Sequence, residues 1–176
     1  MARKSAKPVK KDPRFQWQFR TSSITVGIDP GQTGGLTCLN AAGELIDSID
    51  MPVVQAPNSK AKLIDGYVIR SFLDEHKPSL IVIEMVSSRP GQGISSSFQF
   101  GMSYGAVVAL ALSTGAEVML VAPAVWKRKL KVMGEKDRVR LWCHKRWPES
   151  VHLFKRKKDI GRADSAAIAE YGRLFA

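Results

Sequence analysis

Two carboxylates stand at the ends of apolar runs in this sequence. Asp29 follows an alternating run that begins at Ser23, and Glu84 follows the continuous run Leu80–Ile83. If these runs are neighbouring parallel strands, both acids emerge at the edge of the sheet where ligands of open α/β sheets collect. Each has a plainer alternative: Asp29 could cap the turn that follows it, and Glu84 could pair with a nearby lysine or arginine.

A third carboxylate, Asp164, heads the apolar stripe of the last predicted helix. It shares that stripe with Ile168, Tyr171 and Phe175, and the many alanines around it would let the helix lie close to a sheet. Three or four carboxylates without a histidine favour Mg²⁺ or Mn²⁺ over zinc, and two such ions about 4 Å apart suit phosphodiester hydrolysis. Alternatively, Asp164 only complements the helix dipole.

Asp159 is the candidate for a fourth ligand. Five helical residues would rotate it by about 140° away from Asp164, at about 3.6 residues per turn. It can join the other acids only if residues 158–161 are not helical, which Gly161 would allow. Otherwise Asp159 is a surface acid beside Lys157 and Lys158.

The elements that would position these acids alternate along the chain. We predict strands over 23–30, 34–40, 44–51, 78–85 and 116–123. We predict helices over 59–76, 95–113, 135–146 and 162–175, and a short helix that begins at Pro123. Ser59 is the candidate N-cap of the first helix. Short turns join the first three strands, and helices lead to the others. This order predicts an α/β fold with a mixed five-stranded sheet, three antiparallel strands followed by parallel ones, and helices on both faces.

The positive charge is concentrated in two segments. The formal net charge is +11 over 176 residues; residues 1–20 carry seven basic and one acidic side chain, and residues 124–158 carry thirteen basic and three acidic ones. Basic segments around a mildly acidic centre are typical of an enzyme that acts on nucleic acid. We therefore expect a flexible basic arm over residues 1–20 and one nuclease domain over residues 21–176.

The sequence also bears on the cellular location of the protein. It shows no membrane span and no secretory signal, and Cys38 and Cys143 lie far apart without a CxxC pattern. We expect no disulfide and a cytoplasmic location in a bacterial or phage-infected cell, with an organelle as the open alternative.

Taken together, these residues resemble the RuvC-like Holliday junction resolvases of the RNase H-like superfamily, above all phage-encoded and organellar members. The motifs GIDPG, IVIE, RPGQG…SFQFG, P…WK and KKDIGRADSAAIAEYG occur in the order of that family. The resemblance implies that Asp29, Glu84 and Asp164 are metal ligands, that Asp159 completes the set, and that a homodimer nicks opposing strands of a four-way junction symmetrically. Bacterial members have their last two acids three residues apart, and that position here is Gly161.

Several basic, polar and aromatic residues are candidates for contact with DNA. Arg89 and Gln92 lie in the loop after Glu84, Phe98 could stack on unpaired bases or pack in the core, and Lys136 could contact the scissile phosphate or be a solvated lysine. The remaining candidates are cations of the basic segment: Lys127, Arg128, Lys129, Lys131, Arg138, Lys157 and Lys158.

Other functions fit the sequence less well. The stretch DPGQTGG resembles a phosphate loop of actin-like ATPases, but those need two such domains. A zinc site at Cys143, His144 and His152 lacks ligands. A general RNase H-like or fork nuclease, and a junction-binding module without catalysis, stay open as alternatives to the resolvase.

Overall fold

The computed structural model describes residues 23–87, 91, 93–135 and 137–176. The strands are β1 (Thr25–Asp29), β2 (Gly35–Leu39), β3 (Leu45–Asp50), β4 (Val53–Gln55), β5 (Lys62–Ile64), β6 (Leu80–Glu84) and β7 (Glu117–Val121). The α-helices are α1 (Gly66–His76), α2 (Ile94–Leu112), α3 (Pro123–Lys129), α4 (Arg138–Arg146) and α5 (Ile160–Phe175), with 3-10 helices at Pro148–Phe154 and Lys157–Asp159. The predicted arm, Arg89, Gln92 and Lys136 lie outside the described residues.

Five of the strands form one mixed sheet in the order β3-β2-β1-β6-β7. The short turns make β1–β2 and β2–β3 antiparallel. Helical crossovers make β1–β6 and β6–β7 parallel. The predicted α/β fold class is therefore confirmed.

Helices cover both faces of this sheet. Alternate residues of β1 and β6, such as Val26, Ile28 and Ile83, pack with α1 and α2 in one apolar cluster. On the other face, Val82 packs with α3, α4 and α5 around the buried Trp126. This division follows from the period-two alternation of the strands.

Helix α5 lies directly on β1 because Gly27 carries no side chain. A Cβ atom at Gly27 would collide with the backbone of Ser165 and Ala169. The Ser165 hydroxyl also hydrogen-bonds the Thr37 hydroxyl at 2.7 Å, and Thr37 in turn contacts the hydroxyl of Ser48 at 2.8 Å. These buried contacts fix both the height and the rotation of α5 over the sheet.

The predicted helix over residues 59–76 is wrong in its first half. Strands β4 and β5 form an antiparallel hairpin there, and α1 begins only at Gly66. The N-cap is Asp65 rather than Ser59, because the Asp65 carboxylate accepts hydrogen bonds from the backbone N–H groups of Tyr67 and Val68. The apolar pair Leu63–Ile64 therefore belongs to a strand.

Helix α2 has one buried and one exposed face, and none of its 19 residues is charged. Ser103, Val107 and Ala111 face the core. Ile94 and Phe98 on the other face are 90% and 70% exposed. In the part of the chain that the structure describes, no helix combines the length and the apolar content required to cross a membrane.

Candidate active site

Asp29 and Glu84 lie side by side at the ends of two parallel strands. The register pairs Ile28 with Ile83, so the next residues along each strand are these two acids. Paired residues of neighbouring strands point to the same face, and such strands lie about 4.8 Å apart. Both carboxylates therefore stand on the face that α5 covers, at the same edge of the sheet, and the shared edge is what the sequence predicted.

Asp164 reaches the same place from the first turns of α5. The next residue, Ser165, is in backbone contact with the Gly27 position and is held by the Thr37 hydroxyl. Asp164 is close enough that its charge acts on Asp29. The structure thus gathers the three acids that the sequence singled out.

Asp29 is strongly perturbed by its surroundings. Burial, followed by the charges of Glu84 and Asp164, raises the pKa of Asp29 from 3.8 to about 7. The backbone N–H of Gly31, which donates to Asp29 at 3.2 Å, and the charge of Lys127 act in the opposite direction without cancelling this effect. An added cation would therefore relieve repulsion that the side chains alone do not.

Two neighbouring residues of α3 belong to this site although the sequence analysis did not place them there. The Trp126 indole N–H donates to Oε1 of Glu84 at 2.9 Å, and Lys127 acts electrostatically on Asp29. Trp126 also packs in the apolar core, and the sequence indicated Lys127 only as a DNA contact. No sequence signal would find the pair Trp126–Glu84, because 42 positions separate donor from acceptor.

The residue types suit a hard divalent cation, because oxygen ligands without sulfur or imidazole are what Mg²⁺ and Mn²⁺ take. Within the described ranges, no three carboxylate, thiol or imidazole side chains already surround a single point. A cation would thus have to draw Asp29, Glu84 and Asp164 together. Burial first, and then the charges of Glu84 and Asp164, disfavour an ionised Asp29, and a bound cation would offset this effect.

The family of the chain follows from comparison with known proteins. A family model described as "Crossover junction endodeoxyribonuclease RuvC" matches residues 25–169, which include all three acids. The chain belongs to the RuvC family. The resemblance seen in the motifs is thereby confirmed.

Curated RuvC proteins of mycobacteria match part of the chain. The protein of Mycobacterium leprae is 30% identical over 105 residues, which cover 56% of this chain and 55% of the relative. That of Mycobacterium marinum is 26% identical over 122 residues, or 66% of this chain and 65% of the relative. The chain therefore spans about 55–65% of the curated relatives that it matches.

Solved RuvC structures have the same fold. The structure described as Thermus thermophilus RuvC in complex with Holliday junction substrate has a TM-score of 0.57 at 19% identity, covering 86% of this chain and 96% of that one. A second structure of Thermus thermophilus RuvC has a TM-score of 0.57 at 20% identity, covering 84% and 92%. At this identity the likeness establishes the fold.

RuvC-family nucleases are in general dependent on divalent metal ions. Gly161 occupies the position at which the resemblance implies an acid in bacterial members of the family. A Cβ atom at Gly161 would collide with the carbonyl oxygens of Thr33 and Gly34 in the turn after β1. A fourth carboxylate at this position has no room.

The structure also does not support Asp159 as the fourth ligand in place of an acid at position 161. Residues 157–159 and 160–175 are helical, so the condition under which Asp159 could join the other acids is not met. Its carboxylate accepts hydrogen bonds from the Arg156 guanidinium at 2.8 Å and from the Arg162 guanidinium at 2.6 Å. The spacing of three residues on either side was the sequence signal for these pairs.

The two arginines keep Asp159 charged in a buried place. Its side chain is only 1% exposed. Burial raises the pKa of Asp159, but the hydrogen bonds from Arg156 and then Arg162 outweigh burial and lower the pKa to about 2. Arg162 also pairs with Asp50 of β3 at 3.1 Å, so the group ties the start of α5 to the sheet.

We expect Asp159→Asn to lower stability and to leave metal affinity almost unchanged. Losing one charge of a buried pair costs about 3 kcal/mol. Because the folded pKa of Asp159 lies near 2, this contribution is present at neutral pH and is lost as the pH falls from about 4 toward 2. Thermal unfolding at pH 7 and pH 3, together with Mn²⁺ titration calorimetry, checks both parts. A loss of Mn²⁺ affinity as large as that of Asp164→Asn would return Asp159 to the ligand set.

The candidate DNA contacts lie in α2, in and just after α3, at the start of α4 and before α5. Phe98 is exposed and not in the core, and Arg128, Lys131, Lys157 and Lys158 are exposed. Lys127 lies 4.9 Å from the centre of the Trp126 ring, and Lys129 lies 5.3 Å from that of Phe175. The Arg138 guanidinium donates to the carbonyl of Met133 at 2.7 Å. Contact of these residues with DNA stays a prediction.

The zinc alternative depends on cysteine and histidine side chains. Cys38 and Cys143 are both buried and free. A ring nitrogen of His144 is 2.9 Å from the Phe154 carbonyl oxygen. Nothing in the described residues favours the zinc alternative.

Proposed function

We propose that this chain is a metal-dependent endonuclease that resolves four-way DNA junctions by symmetrical hydrolysis of two phosphodiester bonds. The observation that carries the proposal is the meeting of Asp29, Glu84 and Asp164 at the carboxyl ends of β1 and β6, in a chain of the RuvC family. The Thermus thermophilus protein with the same fold is described in complex with a Holliday junction. Branched DNA is therefore the substrate that we propose here.

The chemistry follows from the residue types. Two Mg²⁺ or Mn²⁺ ions, when bound, activate water and stabilise the leaving oxygen of an in-line displacement. Asp29, Glu84 and Asp164 would hold them, and the mutual repulsion of these acids favours that binding. Lys127 places a positive charge beside Asp29, where a scissile phosphate needs compensation. We also propose Lys136, which lies outside the described residues, as a second cation at the phosphate.

The test compares three substrates. A synthetic four-way junction, a linear duplex of the same sequence and an RNA–DNA hybrid are incubated with the protein, with and without Mn²⁺, and the cuts are mapped. We expect paired nicks at symmetrical positions of the junction, only with Mn²⁺. Preferred cutting of the hybrid would support the general nuclease, and binding without cutting would support the non-catalytic module.

We further propose that the protein acts as a homodimer that associates through the exposed face of α2. Ile94, Phe98 and Met102 are exposed along this face. Gly101 and Gly105 lie between them, with open space where side chains would be. A second copy of α2 could approach closely there, and it would cover apolar surface that this chain leaves in water.

Gly105→Glu is expected to convert the dimer to a monomer. Among the described residues, a Cβ atom at Gly105 meets no neighbour within 4 Å, so we expect the fold to be kept. A buried pair of like charges would weaken association roughly 30-fold or more, about 2 kcal/mol. Gly105→Ala is the matched control, since it keeps a small side chain and should stay dimeric. Light scattering after size exclusion measures both. A wild-type monomer, or a dimeric Gly105→Glu variant, would contradict this interface.

We also propose a reducing, cytoplasmic setting in a bacterial or phage-infected cell. Both cysteines are buried as thiols, and burial raises the pKa of Cys38 to about 12. The fold therefore rests on no disulfide between them. Fractionation of the source cells, followed by detection of the protein, tests the location.

A further inference from the structure

One hydrogen bond connects the core of the protein to a candidate metal ligand. The indole Nε1–H of Trp126 donates to Oε1 of Glu84 at 2.9 Å. Trp126 is fully buried and Glu84 is 9% exposed. This is a direct contact between a side chain without charge and a carboxylate that the proposed function assigns to metal binding.

The fold brings the two residues together by a short route. Glu84 at the end of β6 is in register with Val121 at the end of β7. Helix α3 begins two residues later with Pro123 in its first turn, so Trp126 comes back over the end of β6 within one helical turn. The large apolar ring is packed with α4 and α5, which leaves its N–H group little freedom to move.

We propose that Trp126 is a positioning residue that holds the Glu84 carboxylate in the orientation required for metal binding. This inference rests on the proposed function, because it takes Glu84 as a ligand. An indole N–H only donates and cannot ionise. It therefore fixes one oxygen of Glu84 without neutralising the carboxylate as an arginine would, and it leaves Oε2 to face a cation.

The same ring also lies against the cation of the site. The Lys127 ammonium group is 4.9 Å from the centre of the Trp126 ring, and its charge acts on Asp29. Trp126 thus contacts Glu84 through its N–H group and Lys127 through its face. Its replacement is expected to disturb both neighbours of the metal site, while the acids themselves stay in the chain.

Trp147 offers a matched comparison inside the same apolar cluster. It is also buried, and its indole N–H also donates, at 2.8 Å, but to the backbone carbonyl of Gly43. A change from Trp to Phe removes the same volume and the same N–H group in both places. A difference in metal binding between the two variants therefore reports on the Glu84 contact and not on core packing.

The first experiment compares Trp126→Phe with Trp147→Phe by Mn²⁺ titration calorimetry on the full chain without DNA. We expect Trp126→Phe to lower Mn²⁺ affinity about tenfold, as is usual for lost partners of metal ligands, and Trp147→Phe to leave it unchanged. In a Glu84→Gln background, Trp126→Phe should cause no further loss. Equal affinities for the two tryptophan variants, or an undiminished effect in the Glu84→Gln background, would overturn the proposal.

A second measurement titrates the wild-type chain, and tryptophan variants serve only to assign its signals. The four indole ¹⁵N–¹H signals are assigned by comparison with Trp17→Phe, Trp142→Phe and Trp147→Phe, and Mg²⁺ is then titrated into the wild-type chain. We expect the Trp126 signal to shift with Mg²⁺ and the Trp147 signal to stay in place. An unmoved Trp126 signal refutes the positioning role.

Neither readout requires cleavage, so the two proposals can fail separately. If the wild type binds Mn²⁺ through Glu84 but cuts no junction, the proposed function fails and the role of Trp126 stands. If the wild type resolves junctions and Trp126→Phe binds Mn²⁺ as tightly as the wild type, only the role of Trp126 fails.

Discussion

Replacing Asp29 with asparagine is expected to reduce junction cleavage about 10³-fold or more, equivalent to about 4 kcal/mol of transition-state stabilisation. The reason is the place of Asp29 beside Glu84 and within the field of Asp164, where it would be a central metal ligand. The amide keeps the shape of the side chain but carries no charge for a cation. Gel-based cleavage of a four-way junction in Mn²⁺ measures the loss.

The same variant should be more stable than the wild type when no metal is present. The pKa of Asp29 is raised in the folded chain to about 7 from 3.8, so the wild type loses stability as the pH rises from about 4 to about 7. Asparagine removes this penalty. The melting temperature of Asp29→Asn in a chelator should exceed that of the wild type at pH 8, and the difference should shrink as the pH falls to about 4.

Junction binding by Asp29→Asn distinguishes a role of Asp29 in metal binding from a role in holding the fold. Asp29→Asn is expected to bind the junction as the wild type does, because the basic surface is intact. Asp74→Asn is the control, since Asp74 lies on the exposed side of α1 in a pair with Arg70 at 2.7 Å and should cleave normally. If Asp29→Asn instead melts early and loses junction binding, Asp29 serves the fold.

How far the sequence predicts this site depends on how local each signal is. Asp29 and Glu84 were predictable, because the end of an apolar run and the parallel pairing of two strands place side chains by backbone geometry alone. Asp164 was predictable from its apolar stripe at helical spacing. These rules need no knowledge of individual side-chain contacts.

The features that the sequence predicted wrongly or missed, the start of α1 and the role of Trp126, depend on side-chain contacts that the apolar pattern does not encode. Leu63 and Ile64 fit a strand as well as a helix. Strand β5 has only three residues, which are too few to show the period-two alternation of a strand. The capping carboxylate of Asp65 decides where α1 begins. The role of Trp126 depends on an acceptor in a distant strand, and such a contact appears only when the packed chain is in view.

A large effect on stability is expected at Gly161, where an acid would give the spacing of three residues that the resemblance to bacterial members implies. Gly161→Asp should not add a metal ligand, because the backbone of Thr33 and Gly34 already fills the space of its Cβ atom. Forcing α5 away from this turn costs about 3 kcal/mol, which lowers the melting temperature by about 6–12 °C. Thermal unfolding in a chelator measures this loss.

Gly161→Ala separates steric from electrostatic effects, since it adds the Cβ atom without the charge. We expect it to lose almost as much stability as Gly161→Asp. Gly66→Ala is the control: its Cβ would meet only a methyl group of Leu110 at 3.4 Å, so the melting temperature should change little.

The turn displaced by a side chain at Gly161 is the one that follows Asp29, so Mn²⁺ affinity should fall in both Gly161 variants. An Asp variant that melts as the wild type does and binds Mn²⁺ more tightly would mean that the turn yields and that the family's fourth carboxylate can be rebuilt here.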